Sequence, residues 1–279
     1  MSTMTRWTSA DLERLPDDGT RYEIIDGELH MSKQPHWYHQ FTCKRLTTKL
    51  DVWNEQSQLG EVNYTPGLIF AEDDDVVPDV IWISNERLGN ALEADGKLHA
   101  SPELVVEVLS PGSKNERRDR EAKLQLYGRR GADEYWIVNW MLRCIDVYRR
   151  DQAQLHYIAT LSEGDSLESP LLPGFSCAVG ELFERIPRER DEHHTSPRMG
   201  SYRRFNQALV DELREQHHFT PQKRGLEANT QRFGSGVSGR YGVSFARGGR
   251  VRVELYIDEG DLERNNATFA ALLAQQSAI

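Results

Sequence analysis

The sequence predicts an α/β chain of the mixed α+β kind, a mixed sheet flanked by helices, followed by a smaller C-terminal α+β unit. Three observations carry that expectation. The segments VIWI and LVVEVL are apolar at consecutive positions, as strands buried on both faces are. The order LVVEVL, KNERRDREAKLQLYGRRG, ADEYWIVN reads strand, helix, strand, the pattern of a crossover between parallel neighbours. PRERDEHHTSPRMG, residues 187–200, is almost free of apolar residues, so it marks a linker between a first unit, 1–186, and a second, 201–279.

Taken in order, TSADLERLP predicts a short helix with Thr8 as N-cap, Asp11 three residues later and Pro16 as its end. RYEIIDGELHMS predicts a hairpin, because Asp26-Gly27 tolerates the positive φ angles of a two-residue turn. From His36 to Gln56 the residues Trp37, Phe41, Leu46, Leu50 and Trp53 recur at helical spacing and predict an amphipathic helix on the sheet. GLIF and VVPDVIWIS read as the next strands, separated by an acidic turn from Glu72 to Asp75. PELVVEVL is a buried strand broken by Ser110-Pro111-Gly112, and the helix after it stops at Gly131. CIDVYRR, QLHYIATL and LLPGFSCAVGELFER continue as a meander. The second unit offers a helix in SYRRFNQALVDELRE, a hairpin RYGVSFARGGRVRVELYID turning at Gly248-Gly249, and a last helix through NNATFAALLAQQ.

Composition bounds the function. The 279 residues are 38% apolar and 28% charged, ordinary for a folded soluble chain. No stretch reaches the roughly 20 apolar residues of a membrane span, and MSTMTRWTSADLERL lacks the apolar centre of a secretion signal, so a cytoplasmic location without membrane contact is expected. Cys43, Cys144 and Cys177 are odd in number and far apart, which excludes a disulfide framework or a CxxC zinc site and makes them expected core residues. The net charge of −10 argues against a partner held by charge alone. A metal-collecting site also concentrates acids, however, and the basic cluster from Lys114 to Arg120 could face a phosphate backbone.

The informative residue is Glu107, a carboxylate inside LVVEVL, costly to bury unless something positive meets it. Asp79 occupies the corresponding place in VVPDVIWI, directly after Pro78, which cannot donate to a sheet ladder and so marks a bulge or edge. Two acids on neighbouring strands suit magnesium or manganese, held by one or two carboxylates together with waters and phosphate oxygens. A third participant should orient the attacking water and balance the charge growing on phosphorus. On the strand that place falls to Leu109, which cannot do so. Lys123 can; it follows Asp119 by four residues on one helix face, and Tyr127 extends the stripe by a turn.

YEIIDGEL, PDVIWIS, PELVVEVLSPGS, the spacing RDxxxKxxxY and GADEYWIVN, in that order over residues 5 to 185, resemble the Uma2 family of restriction-endonuclease-like proteins in the PD-(D/E)xK superfamily. The resemblance implies a restriction-endonuclease-like core with metal ligands at Asp79 and Glu107, and a catalytic lysine, moved from strand to helix, at Lys123. It implies a magnesium-dependent endonuclease that cuts nucleic acid, DNA before RNA, and leaves a 5′-phosphate; a homodimer is compatible with it. An acid of the first hairpin, Glu23 or Glu28, would join the metal shell, a choice left open here. The segments SYRRFNQALVDELRE, RVELYID and NNATFAALL resemble a domain of unknown function found attached to nuclease-like modules, without catalytic residues to transfer.

Blander readings stand beside these. Asp79 alone is a turn residue, Glu107 alone a buried ion pair, Lys123 a solvated helix residue and Tyr127 core packing. Asp119 is a surface ion pair or a support to the site. His39 could approach the site, although a lone histidine on a helix is usually structural. Neighbouring residues point to different sides, so the doublets His193-His194 and His217-His218 read as solvated. Arg117, Arg118 and Arg120 are candidate phosphate contacts, or a charged helix face. The rival from another class is a catalytically silent module that keeps the fold and binds nucleic acid or a partner protein.

Overall fold

The computed structural model describes residues 6–16, 19–32, 34–110, 118–187, 197–216, 230–234, 239–245 and 251–257, with the single positions 267 and 270. The architecture is mixed α+β, as the sequence predicts. Its centre is a six-stranded sheet in the order β10-β9-β8-β7-β6-β3. The strands are β3 (Gly60–Tyr64), β6 (Val80–Ser84), β7 (Leu104–Val108), β8 (Glu134–Asn139), β9 (Cys144–Asp151) and β10 (Gln154–Ser162). Strands β7 and β8 run parallel, joined by the predicted helical crossover, while β8, β9 and β10 form the predicted antiparallel meander. Strand β3, absent from the sequence reading, pairs antiparallel with β6. Its segment GEVNY has one branched apolar residue and no clean alternation, so pairing rather than pattern makes it a strand.

A second sheet has the order β2-β1-β5-β4, with β1 (Arg21–Ile25), β2 (Glu28–Ser32), β4 (Leu68–Ala71) and β5 (Asp74–Val76). Asp26 (φ 54°) and Gly27 (φ 74°) make the β1-β2 turn as expected. The acidic turn needs correction: only Glu72 and Asp73 lie between β4 and β5. Asp74 is buried in β5, where it accepts bonds from the Asp26 backbone, Arg129 and Arg130. The apolar run VVPDVIWI is correspondingly split. Its first part closes the small sheet, Val77-Pro78-Asp79 crosses over, and VIWIS enters the large one. Pro78, unable to donate a ladder bond, stands at the point where the chain leaves one sheet for the other.

Two apolar clusters cover the two faces of the large sheet. Val80, Trp82, Leu104, Val106 and Val108 pack with Leu46 and Leu50 of helix α2 (Trp37–Ser57), which follows the short α1 (Ser9–Leu12). Ile81, Ile83, Val105 and Leu109 pack on the opposite face with Leu126 and Tyr127. The buried stripe of α2 is His39, Thr42, Cys43, Leu46, Leu50 and Asn54. This differs from the predicted apolar stripe, since Trp37 is 77% exposed, and the buried side of the first turns is polar. Helix α3 (Asn85–Ala91) follows β6, its N-cap Ser84 accepting the N–H of Arg87. The crossover helix α4 comprises a π-helical turn, Arg118–Ala122, and an α-helical part, Lys123–Arg130, capped by Gly131 at φ 100°.

After β10 the chain makes a small antiparallel pair, β11 (Ser166–Glu168) with β12 (Ser176–Ala178), and a one-turn helix α5 (Val179–Leu182). Helix α6 starts at Pro197 and runs to Glu215, so the last four residues of the expected linker are already helical. A three-stranded antiparallel sheet follows, β13 (Thr230–Gly234), β14 (Gly239–Phe245) and β15 (Val251–Ile257). The Gly248-Gly249 turn, both histidine doublets and all but two positions of the final predicted helix lie outside the described residues. No helix among the described residues is long and apolar enough to cross a membrane.

Candidate active site

Register brings the acids together. Val80 pairs with Val106 across β6 and β7, so Asp79, one residue earlier, stands across from Glu107. The contact is direct at the next position, where the N–H of Val108 donates to Asp79 Oδ2 at 2.9 Å. Alternation along β7 puts Glu107 on the face of Val105 and Leu109, the face that α4 covers. From α4, Lys123 Nζ reaches Glu107 Oε1 at 2.8 Å, and the Tyr127 hydroxyl, one helical turn on, donates to the same oxygen at 2.9 Å. Leu109 is fully buried, and the cation that meets Glu107 is Lys123 of the helix.

The first hairpin contributes Glu23. Its Oε1 lies 2.8 Å from Lys123 Nζ and accepts the N–H of Val77 at 3.0 Å. Glu28, at the start of β2, is exposed and takes no part. Of the two hairpin acids, Glu23 is the one that faces inward, on the strand face of Arg21 and Ile25, whereas Glu28 sits at the turn. Asp119 is 2% exposed, not a surface residue, with Arg118 Nε 3.1 Å from its Oδ1. His39 Nε2 lies 3.2 Å from Asp79 Oδ2, so this histidine does reach the site.

The arginine expectation needs correction. Arg120 is buried and bonded to Asp146 of β9, because the π turn points it into the sheet instead of outward. Arg118 is turned inward as well, donating to Ser32 Oγ at 2.8 Å and approaching Glu23 at 3.6 Å. Arg117 lies outside the described residues. Two neighbours of Asp79 were not anticipated. Arg21 Nη1 stands 3.4 Å from Asp79 Oδ1, and Arg21 Nη2 is buried with no hydrogen-bond partner among the described residues. Cys43 Sγ lies 3.6 Å from His39 Nδ1. The available signals were Arg21's place two residues before Glu23 on one strand face, and the four-residue spacing of His39 and Cys43.

Electrostatics follows from burial. Glu23, Asp79, Glu107 and Lys123 are all under 5% exposed. Four carboxyl groups, counting Asp119, share this space with three permanent cations, Arg21, Arg118 and Lys123. Burial lifts Glu107 to about 8 against the pull of Lys123, and Asp79, Asp119 and Glu23 add to the rise. Burial also works to raise Asp79, but the His39 hydrogen bond and charge, with Arg21 and Lys123, outweigh it and hold that carboxyl at about 2. Burial disfavours the Lys123 ammonium, yet Glu107, Glu23 and Asp119 overcome this and raise it above its ordinary value. The arrangement therefore holds one ionised acid and one proton-loving acid side by side, against a fixed amine. Such a surplus of buried carboxyl groups favours either a bound proton or a bound cation.

Comparison with known proteins gives a family and a fold. The family described as "Uma2: Putative restriction endonuclease" matches residues 9–180. A solved structure, described as a putative nuclease belonging to DUF820 from Anabaena variabilis, is similar to this chain with a TM-score of 0.52 and 16% sequence identity, covering 63% of this chain and 97% of that one. No curated protein matches the chain.

Proposed function

Since the chain belongs to the Uma2 family of restriction-endonuclease-like proteins, we propose that it is a metal-dependent endonuclease that hydrolyses phosphodiester bonds of nucleic acid, DNA in the first instance. The observation carrying this reading is the meeting of Asp79, Glu107 and Lys123, drawn from two adjoining strands and the next helix. Their donor set fits a hard divalent cation such as magnesium or manganese. It consists of carboxylate oxygens, in surplus over the nearby cations, and Asp79 is ionised at neutral pH. Asp79 and Glu107 would hold the ion, with Glu23 beside them. When bound, it supplies Lewis acidity and lowers the pKa of a coordinated water.

The remaining work belongs to the chain's own side chains. Tyr127 and Lys123 fix one oxygen of Glu107, leaving the carboxyl little freedom to turn away. His39 and Arg21 fix the two oxygens of Asp79 in the same manner. The Lys123 ammonium lies where it can orient a water and offset negative charge as the phosphorus centre gains it. Arg21 Nη2, buried and without a hydrogen-bond partner among the described residues, is a donor that a phosphate oxygen entering beside Asp79 would satisfy.

The test is cleavage of plasmid DNA with magnesium by the wild-type chain and by Asp79→Asn and Glu107→Gln, each checked for folding by circular dichroism. Cleavage abolished in both folded variants supports the reading; undiminished cleavage in either removes it. One observation favours the silent-module reading: Lys123 is already paired with both Glu23 and Glu107 within a cluster that solvent hardly reaches. Calorimetric titration with magnesium or manganese separates the two, because a purely structural cluster gives no carboxylate-dependent heat.

A further inference from the structure

We propose that His39, Cys43 and Asp79 form a binding site for a thiophilic transition-metal ion of the zinc class. The site shares Asp79 with the carboxylate pair but differs from it in chemistry. It stands on geometry that holds whether or not the chain cleaves nucleic acid. Helix α2 places His39 and Cys43 four residues apart, one turn, on its buried face, and the start of β6 brings Asp79 against them. One donor atom from each residue lies within 4.8 Å of the other two. Cys43 Sγ is 3.6 Å from His39 Nδ1, and His39 Nε2 is 3.2 Å from Asp79 Oδ2.

Three residues with three different donor types, 4–6% exposed, are an unusual assembly for packing alone. A thiolate and an imidazole select zinc-like ions, whereas magnesium takes oxygen donors. Tetrahedral ligands about 2.0–2.3 Å from zinc stand roughly 3–4 Å apart, so the donors need to close by about 1 Å, a side-chain adjustment. The imidazole lies between the other two groups, and one of its nitrogens must turn to the ion. Charge balances: thiolate and carboxylate together neutralise a divalent ion, and the thiol proton leaves to solvent. Arg21, facing the site from β1, contacts Oδ1 of Asp79; Oδ2 accepts the Val108 N–H, and its other lone pair, which His39 Nε2 now faces, would meet the ion. Three protein ligands leave a fourth position for water.

The alternative is a hydrogen-bonded chain, Cys43 to His39 to Asp79, that takes no ion. Titration of the metal-free full chain with cobalt(II) tells them apart, since tetrahedral cobalt–thiolate sites show intense visible bands and a near-ultraviolet charge-transfer band. The expected result is one equivalent bound with both features, displaced by one equivalent of zinc(II). Cys43→Ser loses the charge-transfer band, and His39→Gln binds cobalt at least about tenfold more weakly. A Cys144→Ala/Cys177→Ala double variant keeps the band. Because the chain has only these three cysteines, that retention assigns the thiolate to Cys43 even if Cys43→Ser fails to fold. No charge-transfer band in the wild-type chain, or its loss in the double variant with folding intact, overturns the proposal.

Discussion

Asp79 Oδ2 accepts the backbone N–H of Val108 at 2.9 Å, tying the residue just before β6 to the one that follows Glu107 on β7. The bond holds the Asp79 carboxylate against the β7 backbone, one residue from Glu107. Asp79, whose burial is outweighed by His39 and Arg21, prefers its charge; Glu107, buried and flanked by other acids, prefers its proton.

These preferences give opposite pH signatures in the metal-free chain. Asp79 is depressed from 3.8 to about 2, so its contribution is present above pH 3.8 and lost as pH falls toward 2. Its size is on the order of 2 kcal/mol. Glu107 is raised from 4.5 to about 8, so its contribution is complete below pH 4.5 and is lost as pH rises through 8. Urea denaturation across pH, with chelator present, checks both. The stability gap between wild type and Asp79→Asn should shrink below pH 4, and Glu107→Gln should gain on wild type between pH 5 and 8. A gap independent of pH sinks the assignment.

Removing Lys123 should cost more than an ordinary surface lysine does. Lys123→Met leaves Glu23 and Glu107 facing each other in a space 1–3% exposed. The expected loss is about 3–5 kcal/mol. Adding Glu107→Gln removes one of the stranded acids and should restore part of it. A double variant no more stable than Lys123→Met would show that the two groups do not interact.

The two acids of the first hairpin should behave differently. Glu23→Gln removes a partner of Lys123 and of the Val77 N–H, and should lower magnesium-dependent cleavage by about 10- to 100-fold. Glu28→Gln, at an exposed position, should change stability by less than about 0.5 kcal/mol and leave cleavage as it is. Equal effects in a nicking assay would place the hairpin's role elsewhere.

Arg120 should act on stability and not on nucleic-acid binding. Its guanidinium is bonded to Asp146 inside the sheet, so Arg120→Met should destabilise by about 3–5 kcal/mol. The salt dependence of DNA binding should keep its slope, whereas loss of a phosphate contact would reduce it by about 1. Filter binding over a salt series decides between them.

Read alone, the sequence determined the elements whose pattern is local and strong. The Asp26-Gly27 hairpin, the long helix from residue 37, the two doubly buried strands, the parallel crossover and the meander all follow from period and turn chemistry. It also singled out Asp79 and Glu107, because a charge within an apolar run is conspicuous in one dimension, and Lys123 by its spacing from Asp119 and Tyr127 on the next helix. What it could not supply is which side chains meet at a distance. The split of VVPDVIWI between two sheets, the approach of Glu23 to Lys123, the inward turn of Arg118 and Arg120, and the approach of Arg21 and Cys43 to Asp79 are decided by strand register and by a π turn. Periodicity fixes a residue's face relative to its neighbours in the chain; only the packing of whole elements fixes what that face touches, and the energy of a buried charge depends on the second.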